Sequence, residues 1–203
     1  MLQRILVWDV PTRVFHWSLA LSFAGAYVTA ESERYRDIHL ALGYVLLGLL
    51  VFRLVWGLVG TAYARFSAFT FTPSQVKAYL LGLLSKQPQH YVGHNPAGGV
   101  AIFALLALGL LISVSGLGLE WEIGDEDFME ELHEIAANLM LVVVLVHIAG
   151  VLISSVLHRE NLVRAMFTGY KQSATAVGIT RAHVGLGVVL LVAIVGFLGW
   201  YLV

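Results

Sequence analysis

The chain has 203 residues, 59% of them hydrophobic and only 12% charged, with a mean hydropathy of +0.82 and a formal net charge of −1. A soluble domain carries about 25% charged residues, so this composition excludes an ordinary water-soluble globule. The absence of cysteine excludes disulfides, thiolate metal sites, iron–sulfur clusters and covalent haem attachment through C-x-x-C-H.

Five apolar runs are long enough to cross a bilayer, at roughly 13–30, 39–60, 97–119, 132–157 and 182–203. The first ends in small residues, "AYVTA", as a cleaved leader does. However, "WDVPTR" is a poor leader start and His16 and Trp17 interrupt the apolar run, so a retained first span is expected. Between the second and third runs lies a loop, 61–96. Within it "TPSQVKAYLLGLLSK" opens on a cap-and-proline signal and predicts a helix lying on the membrane surface. "GHNPAGG", residues 93–99, reads as a turn into the third span. An acidic loop, 120–131, joins the third and fourth. The stretch "EWEIGDEDFMEELHE" (120–134) holds eight of the thirteen acidic residues and neither lysine nor arginine, more than solubility needs, and suggests a docking face. The whole chain, 1–203, reads as a single all-α membrane domain without internal repeats.

The cations set the topology. With the N-terminus in the cytoplasm, Arg4, Arg13, Arg65, Lys77, Lys86, Arg159, Arg164, Lys171 and Arg181 fall inside and only Arg34 and Arg36 outside. By the positive-inside rule this places the C-terminus in the periplasm. Arg53 falls within the second span.

Histidines carry the chemistry. His133 and His147 are fourteen residues apart in one apolar run. At the 3.5-residue period of a bundle they share a helix face, separated by about 21 Å along the axis. His39 opens the second span and His16 lies about one turn into the first. In antiparallel helices, His39 comes level with His133, and His16 with His147. Two imidazoles facing each other at each of two depths suit two non-covalent b haems in apolar slots of a helical bundle. Histidines that merely link helices would not need level-matched pairs, and four ligands split between two depths cannot form one zinc tetrahedron. Arg53 lies fourteen residues after His39 and reaches the His16–His147 depth. There it either pairs with a haem propionate, as Arg13 could also do, or snorkels to the interface. His90, His94, His158 and His183 read as surface or interfacial residues.

These residues resemble a known family. "VWDVPTRVFHWSLA", "HLALGYVLLGLLVFRLVWGLVG", "GHNPAGG" and "LHEIAANLMLVVVLVHIAGV" followed by "HRENLVRAMFTGYK" are similar to the bacterial cytochrome b561/Ni-hydrogenase b-type cytochrome family over roughly residues 5–171. The resemblance implies a four-helix bundle holding two haems, with electrons passing between a periplasmic redox partner and quinone. By position, His39 with His133 would hold the outer haem and His16 with His147 the inner one. Quinone would sit beside the inner haem, near Asn95 and Gly98, with His94 a further candidate; a plain turn is the other reading of this segment. The fifth span goes beyond the four-helix core.

The expectation is a multi-pass protein of the bacterial inner membrane. It would carry electrons between quinone and a periplasmic c-type cytochrome or a dehydrogenase or hydrogenase subunit. Lipid is a further partner, a homodimer is one arrangement open to it, and nothing calls for nucleic acid. Two other functions remain open: superoxide oxidation coupled to quinone, and a haem-free anchor subunit.

Overall fold

The computed structural model describes residues 2–85 and 89–203; Lys86 lies outside them. Local capping explains where most helices begin. Asp9 accepts a hydrogen bond from Thr12 N at 2.7 Å, and Pro11 sits in the first turn of α1 (Val10–Thr29), where its missing N–H costs nothing. A short 3₁₀ turn, Glu33–Tyr35, leads into α2 (Arg36–Val59). In the following loop Thr72 and Gln75 form a reciprocal capping box on α3 (Pro73–Leu84), the expected surface helix. Asn95 caps α4 (Pro96–Glu120) and Asp125 caps α5 (Glu126–Leu157). Asn161 caps α6 (Leu162–Thr168), which ends on Gly169 at φ 85°, and α7 (Val184–Tyr201) completes the chain's helices.

Helices α1 and α2 form one hairpin and α4 and α5 another. α2 packs on α4, and α7 lies against α1 and α2. α1 and α2 approach α5 at few points, among them the Tyr27 hydroxyl donating to Asn138 Oδ1 at 2.7 Å, and a cavity lies between them at one end. Phe15, Phe23, Leu46, Leu49 and Leu50 of α1 and α2 form the main core, joined by Met140 of α5. Large apolar side chains such as Leu139, Val146 and Val192 stay exposed, as lipid-facing helices require.

Among the described residues, four helical segments are long and apolar enough to cross a membrane: Glu33–Val59, Pro96–Glu120, Glu126–Leu157 and Val184–Tyr201. α1 has the length but not the apolarity, because Thr12, Arg13, His16, Ser18 and Ser22 dilute it. The acidic stretch is also less of a loop than its composition suggests. Glu126 and Asp127 sit in the first turn of α5, where carboxylates complement the helix dipole.

One end of the bundle carries the acidic turn and the C-terminus, since Tyr201 packs on Tyr44 (ring centroids 5.8 Å) beside the Arg36–Glu120 ion pair (2.8 Å). The opposite end carries the long loops and a two-stranded sheet that the sequence pattern did not suggest. Strand β1 (Gln3–Leu6) pairs antiparallel with β2 (Tyr170–Ser173), Gln3 opposite Ser173 and Leu6 opposite Tyr170.

Candidate haem-binding sites

At the acidic end α2 brings His39, and α5 brings His133, to the two sides of a cavity of about 420 Å³. Their ring centroids are 6.1 Å apart, with the ring planes at 61°. Two imidazoles on opposite faces of one metal, each bound at about 2 Å, have centroids roughly 6 Å apart. Each ring is oriented through its other nitrogen. His39 Nδ1 lies 2.9 Å from the Ala26 carbonyl and His133 Nδ1 lies 3.0 Å from that of Ile112. A carbonyl can only accept, so Nδ1 carries the proton in both rings and Nε2 is left with a lone pair for a metal. Gly43, one turn after His39, borders the cavity with no atom within 4 Å of where a Cβ would stand. At Gly116 a Cβ would lie 3.1 Å from Cε1 of His133, so glycine lets that ring seat against α4. The slot and its donor set fit a flat, bis-imidazole-bound group, which would be haem b.

The other pair lies toward the loop end. His16 on α1 and His147 on α5 are within electrostatic reach of each other, and the Nδ1 of His16 is enclosed without a partner. Trp17 stands edge-on to the His16 ring at 4.9 Å and stacks on Phe167 at 4.2 Å. Arg53 is only 3% exposed; its guanidinium carbon lies 4.8 Å from the centre of the Phe66 ring, and one terminal nitrogen has no partner. Such an orphaned buried cation fits an anionic group brought in by a cofactor, such as a propionate. Arg13 donates one terminal N–H to the Phe167 carbonyl, while its buried Nε has no partner.

His94 joins this end of the bundle. Its ring packs between Trp8 (4.6 Å) and Phe69 (4.5 Å), and its Nδ1 is enclosed without a partner. Burial, and after it the nearby Arg53, His147, Lys171 and His16, push this imidazole down to about 3. The next residue, Asn95, uses its side-chain oxygen to cap α4 through Gly98 N at 2.7 Å, so Asn95 and Gly98 come together as a turn beside His94. His90 and His158 meet edge to face at 5.1 Å near the surface, and His183 borders Trp56 at 5.3 Å.

Several side chains that shape these sites escape sequence reasoning. Asp9 is fully buried and takes hydrogen bonds from Trp56 Nε1 (3.2 Å) and the Thr61 hydroxyl as well as from its own helix. Nothing in the sequence around Asp9 tells of these partners on other elements. Ser115, also fully buried, places its Oγ 3.2 Å from His133 Nδ1. Lys171 bridges Glu160 (3.0 Å) and the Val92 carbonyl (2.9 Å), joining β2 to the segment before α4.

A histidine pair facing across a cavity in a bundle of long apolar helices fits a membrane cytochrome of the b type, an electron-transfer protein. The chain belongs to the prokaryotic cytochrome b561 family, whose family model matches residues 7–169. It is similar to the probable Ni/Fe-hydrogenase B-type cytochrome subunit of Azotobacter vinelandii, with 26% identity covering 82% of this chain and 88% of that protein. The Rhodobacter capsulatus protein of the same description is 23% identical (82% and 81% covered). The probable Ni/Fe-hydrogenase 1 B-type cytochrome subunit of Escherichia coli K12 is 22% identical (81% and 89% covered). No solved structure matches. Helix α7 lies beyond the matched residues.

Proposed function

We propose that the chain is a di-haem conduit carrying electrons between a redox partner docked at the acidic end and quinone at the loop end. His39 and His133 would hold one haem, His16 and His147 the other. Haem, when bound, supplies reversible one-electron chemistry at iron. The protein supplies everything around it. The Ala26 and Ile112 carbonyls fix which nitrogen each acidic-end histidine offers. Arg53, with Arg13 at its side of the bundle, would take the propionates of the second haem. Asn95, Gly98 and His94 would border the quinone; the unpartnered Nδ1 of His94 would exchange a hydrogen bond with a quinone oxygen. α1 would also cross, as the first of five spans, turning its polar residues to the bundle.

The acidic end would face the periplasm of a bacterial inner membrane, with the N-terminus in the cytoplasm and the C-terminus outside. The excess of lysine and arginine at the loop end supports this orientation. The relatives' names attach them to a Ni/Fe hydrogenase, so a hydrogenase subunit joins a c-type cytochrome as a candidate partner. Glu31, Glu120, Glu130 and Glu134 line the acidic-end cavity, a setting that repels an anion such as superoxide and favours the conduit.

The observation that carries the proposal is the 6.1 Å approach of His39 and His133 with both Nδ1 atoms committed elsewhere. Haem content and redox spectra of single histidine variants test it. Replacing His39 or His133 should remove one haem and leave the other reducible by quinol. Replacing His16 or His147 should abolish exchange with quinone. If the His16 and His39 variants lose the same single haem, the pairing is wrong.

A further inference from the structure

Granted the two-centre reading, the surroundings of the two histidine pairs differ in kind. At the acidic end both imidazoles donate Nδ1–H to main-chain carbonyls. Ser115 Oγ also lies 3.2 Å from His133 Nδ1, and it gives its own proton to the Leu111 carbonyl at 2.8 Å, so it turns a lone pair toward the ring. A hydrogen bond of this kind makes the opposite ring nitrogen more basic, and a more basic ligand favours the oxidised, more positive iron. Fixed charge acts in the same direction. Glu31, Glu130 and Glu134 stand on the cavity wall, while Glu120 is neutralised by Arg36 at 2.8 Å.

The other pair has the reverse setting. Nδ1 of His16 is enclosed and has no acceptor. Arg53 is buried with an unpartnered terminal nitrogen, and Arg13 is close by on α1. Lys171 and Glu160 cancel each other at 3.0 Å. Asp9 is the opposing charge, engaged by Thr12 N, Trp56 and Thr61. The balance is cationic, and cationic surroundings favour the reduced iron.

We infer that His39 and His133 hold the lower-potential centre and His16 and His147 the higher-potential one, with Ser115 a positioning residue that tunes the potential through His133. Hydrogen bonding and charge, two independent levers, agree in sign.

Spectroelectrochemical titration of the purified holoprotein tests the ordering. The wild type should show two waves. Ser115→Ala and Glu134→Gln should each move only the lower wave, toward higher potential. Arg53→Gln should move only the higher wave, toward lower potential. Ser115→Ala should also change the electron paramagnetic resonance signature of one low-spin centre, which a purely structural serine would not do. Glu134 is exposed, so its variant tests the charge argument without touching the packing. The ordering is overturned if Glu134→Gln moves the higher wave or neither, or if Arg53→Gln leaves the higher wave in place. A wild-type content of one haem per chain would instead remove the two-centre reading itself.

Discussion

Asp9 is a carboxylate with no exposed surface, and its partners come from three places: its own helix, the end of α2 and the loop after it. Asp9→Ala removes a helix cap and strands the Trp56 and Thr61 donors, a loss of about 1–3 kcal/mol. Asp9→Asn keeps an acceptor and should cost less. Thermal unfolding of the holoprotein in detergent should rank wild type above Asn and Asn above Ala. His94 gives a pH dependence. Its folded-state value near 3 lies below the ordinary 6.5, so between these values the unfolded chain binds the extra proton. Stability from the neutral ring is therefore whole above about 6.5 and is lost on acidification, by about 1.4 kcal/mol per pH unit. His94→Gln should flatten the decline in unfolding temperature between pH 6.5 and 5; an unchanged slope would assign it to other groups. The four candidate histidines stood out because an ionisable ring in an apolar run is rare and their spacing names a face; the structure brings the rings of His39 and His133 to within 6.1 Å. Ser115 was not legible, because nothing in α4 alone says that His133 of α5 will come to rest beside it.

At the scale of elements, the sequence marks caps better than it marks loops. Thr72–Pro73 announced α3, and the structure shows the reciprocal cap. The acidic stretch hid a helix start, because carboxylates that look like a solvated loop are also what a helix N-terminus prefers. That bears on the docking face. Asp125 holds Phe128 N at 2.9 Å, so a charge reversal there would also damage α5. Glu126, Asp127 and Glu131 are exposed and form no cap, and they are the better probes. Changing these three to lysine should slow electron exchange with a cationic c-type cytochrome by roughly tenfold or more at low salt. The effect should shrink near physiological ionic strength, where the Debye length is about 8 Å. Quinone exchange should not change. A variant that gains superoxide oxidation and loses nothing with any cytochrome would argue for the enzyme instead of the conduit.

For the whole molecule, periodicity and charge disclose a bundle but not how its ends are tied together. Four residues paired with four others, with no alternation long enough to notice, leave no trace in hydropathy, and so the β1–β2 sheet was invisible. It joins residues 3–6 to residues 170–173. During synthesis the first strand thus leaves the ribosome long before its partner exists, and waits while α1 to α5 are made and inserted. Long-range pairing of this kind forms late and slowly. The ribbon would then act as a latch, closing the loop end only after α1 to α5 have been made. On the di-haem proposal, the side of the bundle between α1 and α5 would stay open to an incoming haem until that ribbon forms.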